Sequence, residues 1–268
     1  MGKYIKTFNT DSNTIILNMI TFISLVRNLN FFVQFLRIRI VSKMSVAIKI
    51  ALNDGLYIKD PQDSELGRNI IEQSIDLIDE LGIEAFTFKK LSIRINSTEA
   101  SIYRYFLNKH LLLLYLVNWY WEWVQYLIQI NSRHVTDSKE RLKIIIRSIV
   151  SASRENPMVG YVNESKLQKI VISDGMKVYH TKDVDDENSK GFFRGYKNLA
   201  LTISQVISDV NPNFKYPYAL ATNLFEMANN HLFFAHHLPK LTDISVKANV
   251  YDEMEEMLEY YVDKLLSE

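Results

Sequence analysis

The chain is predicted to be all-α, with an N-terminal three-helix helix-turn-helix domain ahead of a helical bundle. Three observations predict this. Glycine and proline number only 8 and 5 in 268 residues, so long elements meet few breakers. Apolar side chains recur at three- and four-residue spacing along most of the chain, the period of a helix with one buried face. Residues 86–114 set two short helical patterns on either side of Asn96-Ser97-Thr98, with the start of a third behind them. Composition narrows the class further. Cysteine is absent, which excludes disulfides and thiolate chemistry and suits a reducing cytoplasm. Lys and Arg total 31 against 31 Asp and Glu, so attraction to phosphate has to come from a local patch.

Residues 1–44 form an apolar leader. Neither of its apolar halves, 15–26 and 31–41, is long enough to span a bilayer, and Arg27 sits between them. No small-residue cleavage site follows, which argues against a signal peptide. Three readings stand: translation from upstream of a start at Met44, a helix packed on a dimer, or a membrane-associating segment. The first is favoured, because ordered patterning resumes at Met44-Ser45-Val46. Residues 45–63 read as an arm with turns at Asn53-Asp54-Gly55 and Asp60-Pro61, and its Lys49 and Lys59 are within the chemistry of a phosphate contact.

The helix-turn-helix domain is expected over residues 64–112. Ser64-Glu65 opens a first helix whose buried stripe is Leu66, Ile70, Ile71, Ser74, Leu77, Ile78 and Leu81, with Gly82 as its stop. Thr87 caps a second helix with Phe88, Leu91 and Ile95 on one face. Asn96 is expected in the left-handed conformation of a tight turn, and Ser97 or Thr98 caps the next helix. That helix, from Glu99 to about Phe106, is expected to bury Ala100, Ile102 and Tyr103 and to expose Glu99, Ser101, Arg104 and, at its end, Tyr105. Asn108 caps a third helix with Lys109 in its first turn. This is the layout in which the second short helix enters a DNA major groove. Between Thr87 and His110 the bases are Lys89, Lys90, Arg94, Arg104 and Lys109, and the acid is Glu99. A neutral chain that gathers its positive charge here places it where phosphate would sit. A plain helical hairpin is the rival, but residues 97–105 are too polar for a core.

The body, 113–268, continues the helix to about residue 131 and adds helices at 138–154, 163–181, 189–210, 217–237 and 243–266. Trp119, Trp123 and Tyr126 suggest the wall of a ligand pocket, against the commoner reading of aromatics at helical spacing as core. The acidic run 183–187 is read as a loop that caps the next helix and complements its dipole, not as a metal site. His231, His236 and His237 lack ligand spacing, so no metal or cofactor is expected. No HExxH, no Glu-x-x-His pair and no phosphate-binding glycine loop is present, so no enzyme is expected.

At residues 67–114 the chain resembles the TetR/AcrR family of bacterial transcriptional regulators. The likeness lies in Leu81-Gly82-Ile83-Glu84, Phe86-Thr87, Lys90-Leu91-Ser92, the run from Thr98 to Phe106, and Asn108-Lys109-His110-Leu111-Leu112. Asn96 stands where the family usually has glycine, and Ser92 where it usually has alanine. The resemblance implies that Thr87, Tyr103, Tyr105 and Lys109 grip phosphates, with Lys89 beside them. It implies that Ser97, Thr98, Glu99, Ser101 and Arg104 meet bases or adjacent phosphates, Glu99 by accepting from a cytosine amine or by capping its own helix. It also implies a homodimer through the last two helices, with Leu224, Met227, Phe233, Met254, Met257, Leu258 and Tyr261 at the interface. The partners implied are a palindromic double-stranded DNA operator and a small-molecule effector, with repression as the family's commoner habit. A helical partner-binding protein that has lost DNA binding, or a membrane-tethered regulator, is the alternative.

Overall fold

The computed structural model describes residues 48–154, 156, 159–247 and 249–267. The readings of the leader and of the Met44 start fall outside these residues. Among the described residues every regular element is helical: α1 Glu65–Ala85, α2 Phe88–Arg94, α3 Glu99–Tyr103, α4 Lys109–Asn131, α5 Ser138–Ser151, α6 Glu164–Asp174, α7 Met176–Tyr179, α8 Val184–Ser189, α9 Arg194–Val210, α10 Pro217–His237 and α11 Val250–Leu266. No helix among them is long and apolar enough to cross a membrane.

The arm is ordered by side chains standing in for a strand partner. Gln62 accepts from the Ile50 N–H at 3.0 Å and donates to the Ile50 carbonyl at 2.8 Å, and it also receives the Tyr161 hydroxyl at 2.9 Å. Lys49 does not reach outward as expected. It sits between Asp60 and Asp63 at 2.9 and 2.6 Å, so its charge is already matched. Lys59 lies over the Tyr105 ring at 5.5 Å.

In α1 the Ser64 side chain caps the Gly67 N–H, and Gly67 is required there because a Cβ would meet the Pro61 carbonyl oxygen at 2.2 Å. The predicted stripe is buried from Ile70 through Ile78, whereas Leu81 is 43 % exposed beside the turn. Gly82 has φ 74°, the left-handed conformation that stops the regular helix, and one further turn closes with Phe86 N–H on the Gly82 carbonyl.

The helix α4 departs from the one-faced pattern expected of it. Leu112 to Trp121 are buried without interruption, so this helix is enclosed by its neighbours rather than laid on them. Only its end, with Ile130 52 % exposed, returns to solvent. Trp119 and Trp123 stack at 5.9 Å and Trp123 and Tyr126 at 5.5 Å, and both tryptophans are almost wholly buried. They are core, which corrects the pocket reading of Trp119 and Trp123, while Tyr126 is half-buried at the edge of the same stack. The physical reason is packing: offset-stacked rings fill the space between α4 and α5, and the Trp123 indole N–H is spent on the Ala152 carbonyl at 3.2 Å.

Boundaries in the body also shift. The predicted helix 163–181 is divided at Gly175 into α6 and α7. The acidic run is itself helical, with Asp185, Asp186 and Glu187 in the first turn of α8, where they favour the positive end of the dipole. Glu187 takes His110 at 2.6 Å. Gly191, at φ 76°, turns the chain between α8 and α9, so α9 begins at Arg194 rather than 189. Residues 243–247 are irregular, and Asn249 caps α11.

Of the seven residues expected on an interface between copies, Leu224, Met254 and Leu258 are buried in this chain's own core. They cannot meet a partner. The stripe at three- and four-residue spacing turns inward because α10 packs on α9, and α11 on α5. Met227 and Met257 are half-buried, and Phe233 and Tyr261 are exposed, together with Tyr218, Tyr260 and Leu265.

Candidate nucleic-acid interface

The turn between α2 and α3 is a complete Schellman motif. Asn96 has φ 49°, its N–H reaches the Ile93 carbonyl at 3.2 Å, and the Ser97 N–H reaches the Ser92 carbonyl at 2.8 Å. Both orphan carbonyls at the end of α2 are thereby satisfied, and the chain reverses sharply enough to bring α3 across. Side-chain caps define the three helix starts. Thr87 accepts from the Lys90 N–H at 3.2 Å, Thr98 from the Ser101 N–H at 3.2 Å, and Asn108 from the Leu111 N–H at 2.9 Å. Beneath them Phe86, Phe88, Leu91, Ile102, Tyr105 and Phe106 form the buried floor.

Above that floor the structure sorts the predicted contact residues. Tyr103 is 48 % exposed, its ring held edge-on against Phe88 at 5.1 Å. This reverses its expected burial and agrees with a surface role. Ala100 is exposed too, so α3 rests on the head mainly through Ile102. Thr87, Lys89, Thr98 and Arg104 are exposed, and Ser97, Glu99 and Ser101 are half-buried. The Thr98 and Ser101 hydroxyls bond each other at 2.9 Å, which fixes their orientation.

Tyr105 is a correction. It is 3 % exposed, its hydroxyl bonds Ser64 at 2.8 Å, and its carbonyl receives the Ile58 N–H at 2.8 Å. It ties the arm to the head instead of presenting a hydroxyl to phosphate. The aromatic ring follows Ile102 and faces the same floor, where a large apolar ring gains more than at the surface.

The five bases divide in the same way. Arg94 makes a bidentate pair with Glu80 at 2.7 Å for both bonds, and adds Gln73 at 2.8 Å. That pair holds the Glu80 carboxyl below its ordinary value. Lys90 donates to the Ala85 carbonyl at 2.7 Å. Lys109 donates to the Ile83 and Glu84 carbonyls at 3.1 and 3.3 Å, satisfying the end of α1. The side chains of Lys89 and Arg104 make no hydrogen bond or ion pair with any described residue and are the cations left open to an anionic partner. Counting charges along the sequence did not separate these two from the other three, because their partners lie on α1 or on carbonyls that only the fold brings near.

A second feature lies in the body. A half-open cavity of about 730 Å³ is lined by Trp121, Tyr179, Tyr196, Glu226 and Asn229, with residues of α6 and α7 completing the wall. Trp121, rather than Trp119 or Trp123, is the tryptophan that faces this space. Its indole N–H donates to the Tyr179 hydroxyl at 3.0 Å, and the Tyr196 hydroxyl donates to Glu226 at 2.9 Å. Burial pushes both tyrosine hydroxyls above their ordinary pKa, Tyr196 with help from the Glu226 charge.

A short path joins cavity and head. Met176 and Tyr179 of α7 line the cavity, while Lys177 between them bonds Glu84 at 3.0 Å and Asp174 at 2.8 Å. Glu84 is the residue whose carbonyl also receives Lys109. The amine of Lys177 holds the Glu84 carboxyl below its ordinary value.

No family model matches the chain, and no curated protein matches it. Solved structures do. A protein of Syntrophomonas wolfei described as a TetR-family transcriptional regulator aligns at a TM-score of 0.54 and 18% identity, over 75% of this chain and 94% of that one. AibR, solved with isovaleryl coenzyme A and operator DNA, aligns at 0.51 and 16%, over 71% and 97%. Superantigen PfiT aligns at 0.50 and 11%, over 70% and 92%. The chain therefore has the all-helical fold of TetR-family regulators. PfiT has a like fold, so function has to be argued from the site.

Proposed function

We propose that this protein is a DNA-binding transcriptional regulator of the TetR type, a binding protein and not an enzyme. It reads a palindromic operator as a homodimer and is released by an effector held in the cavity of the body. The observation that carries this reading is the exposed surface of α2 and α3: a rigid Schellman turn, a fixed Thr98–Ser101 hydroxyl pair, exposed Tyr103, and the two unpaired cations Lys89 and Arg104. Arg104 at the end of α3 suits a guanine edge or a phosphate, and Lys89 suits a phosphate. AibR supports the reading in kind, as a protein of similar fold solved with operator DNA and a small ligand.

A dimer is part of the proposal because α3 spans only five residues and reads few base pairs alone. The stripe of half-buried Met257 and exposed Tyr261 and Leu265 on α11, with Phe233 on α10, is the surface offered for it. Release would follow if an effector favoured one position of α7 and α4 over another, since both touch the cavity and both reach Glu84, through Lys177 and Lys109.

The test is binding of the full-length protein to the DNA flanking its own gene, titrated with salt. Sequence-preferring binding that weakens steeply with salt and is lost in Arg104→Ala and Tyr103→Ala supports the regulator. Absence of binding at low salt by a folded dimer rejects it, and favours the partner-binding alternative that the PfiT likeness keeps open.

A further inference from the structure

Resting on the effector reading of the cavity, we propose that its ligand is a bulky organic cation. The chemistry of the wall points there. Three aromatic rings meet at this space: Trp121 and Tyr196 have centroids 5.2 Å apart, and Tyr179 and Tyr196 5.3 Å apart. Among the described residues of the lining, the one charged side chain is Glu226, and no Lys, Arg or His joins it. Glu226 is half-buried, and its Oε1 takes the Tyr196 hydroxyl at 2.9 Å. No described residue donates to Oε2.

Each class of ligand meets this wall differently. A neutral ligand that closed the cavity would strip water from a carboxylate with one hydrogen bond, which is costly. An anion would meet the same carboxylate with nothing to balance it. A cation answers the carboxylate directly and gains from the electron-rich rings of Tyr179 and Tyr196, half-buried at this wall, the kind of aromatic contact that recognises ammonium ligands. Asn229 adds a polar contact. Its Oδ1 accepts from Gln168 at 3.1 Å, so its amide N–H groups remain for a ligand acceptor. A cavity of about 730 Å³ fits a drug-sized molecule and is roomy for a metal or a simple amine.

The experiment uses two ions matched in shape and opposite in charge, tetraphenylphosphonium and tetraphenylborate, titrated calorimetrically into the full-length protein. Binding of the phosphonium roughly tenfold or more tighter than the borate is expected. Glu226→Gln should remove most of that preference while leaving the melting temperature and helical circular dichroism unchanged. Asn230→Lys, an exposed substitution on the cavity rim, should weaken the phosphonium and strengthen the borate without touching the core. Equal binding of the two ions, tighter binding of the borate, or a phosphonium affinity unchanged in both folded variants would overturn the proposal. DNA binding is measured separately. Glu226-dependent phosphonium binding without DNA binding would reject the regulator and leave the cation site standing, and DNA binding without any charge preference in the cavity would do the reverse.

Discussion

The head and the body of this protein both use aromatic and charged residues, but they solve opposite problems with them. In the head, three of five cations are consumed internally by Glu80 or by helix-end carbonyls, so a small unit is stiffened and only Lys89 and Arg104 remain open. In the body, aromatic rings fill the centre around α4, and a single carboxylate, Glu226, is left facing a half-open cavity. Positive charge is kept at the surface of one region and negative charge in a recess of the other. A neutral overall composition conceals both, and the comparison teaches that net charge per chain is the wrong scale on which to look for a site.

The largest expected effect tests the body. Trp119→Ala, which empties a fully buried position stacked on Trp123, should cost about 3–5 kcal/mol and lower the denaturation midpoint sharply. Cavity size sets the range, because neighbours relax only in part. In the head the comparable loss should appear in binding and not in stability. Arg104→Ala should weaken operator binding by about 1–3 kcal/mol in a mobility-shift titration, with a melting temperature close to that of the parent. An equal loss in both measurements would mean that Arg104 is structural and would erase the contrast.

Two smaller effects sharpen the account of the turn. Thr98→Ala removes the cap on Ser101 and should destabilise by about 1 kcal/mol. Asn96→Gly should stabilise by up to about 1 kcal/mol, because glycine takes φ 49° without the steric penalty of a Cβ. A loss of stability in Asn96→Gly would show that the asparagine side chain, not the backbone, holds the turn.

The smallest effect concerns pH. Glu80 and Glu84 have folded-state pKa values below their ordinary ones, through Arg94 and Lys177 respectively. Their contribution is therefore present above the ordinary carboxylate range and is lost as pH falls through the lowered folded values. Glu84→Gln should flatten the acid limb of a melting-temperature profile slightly, since the pair it makes with Lys177 is exposed and screened. The Arg94–Glu80 pair would be untouched by that change and serves as the internal comparison.

How much of this was legible in advance follows from the range of each interaction. Thr87, Thr98 and Asn108 were readable as caps because a cap joins residues two or three positions apart. Gly82 and Asn96 were readable as stops because backbone conformation is a property of the residue and its immediate neighbours. The helix from Lys109 to Asn131 was readable to its ends for the same reason. By contrast, Tyr105 was placed on the surface, Trp119 and Trp123 on a pocket wall, and Leu224, Met254 and Leu258 on an interface. Each of these fails in the same way: periodicity reveals that a face is apolar and does not reveal what covers it.

The sequence by itself determined that the chain is helical, where the helices of the head begin, and that a tight polar turn separates α2 from α3. Those features rest on hydrogen bonds and dihedral preferences spanning a few residues. Only the tertiary structure decided which cations stay unpaired, which tryptophan faces the cavity, and that Glu226 lies against Tyr196 there. Those outcomes depend on residues far apart in the chain, 58 positions for Trp121 with Tyr179 and 30 for Tyr196 with Glu226, brought together by burial of the apolar faces rather than by any local signal.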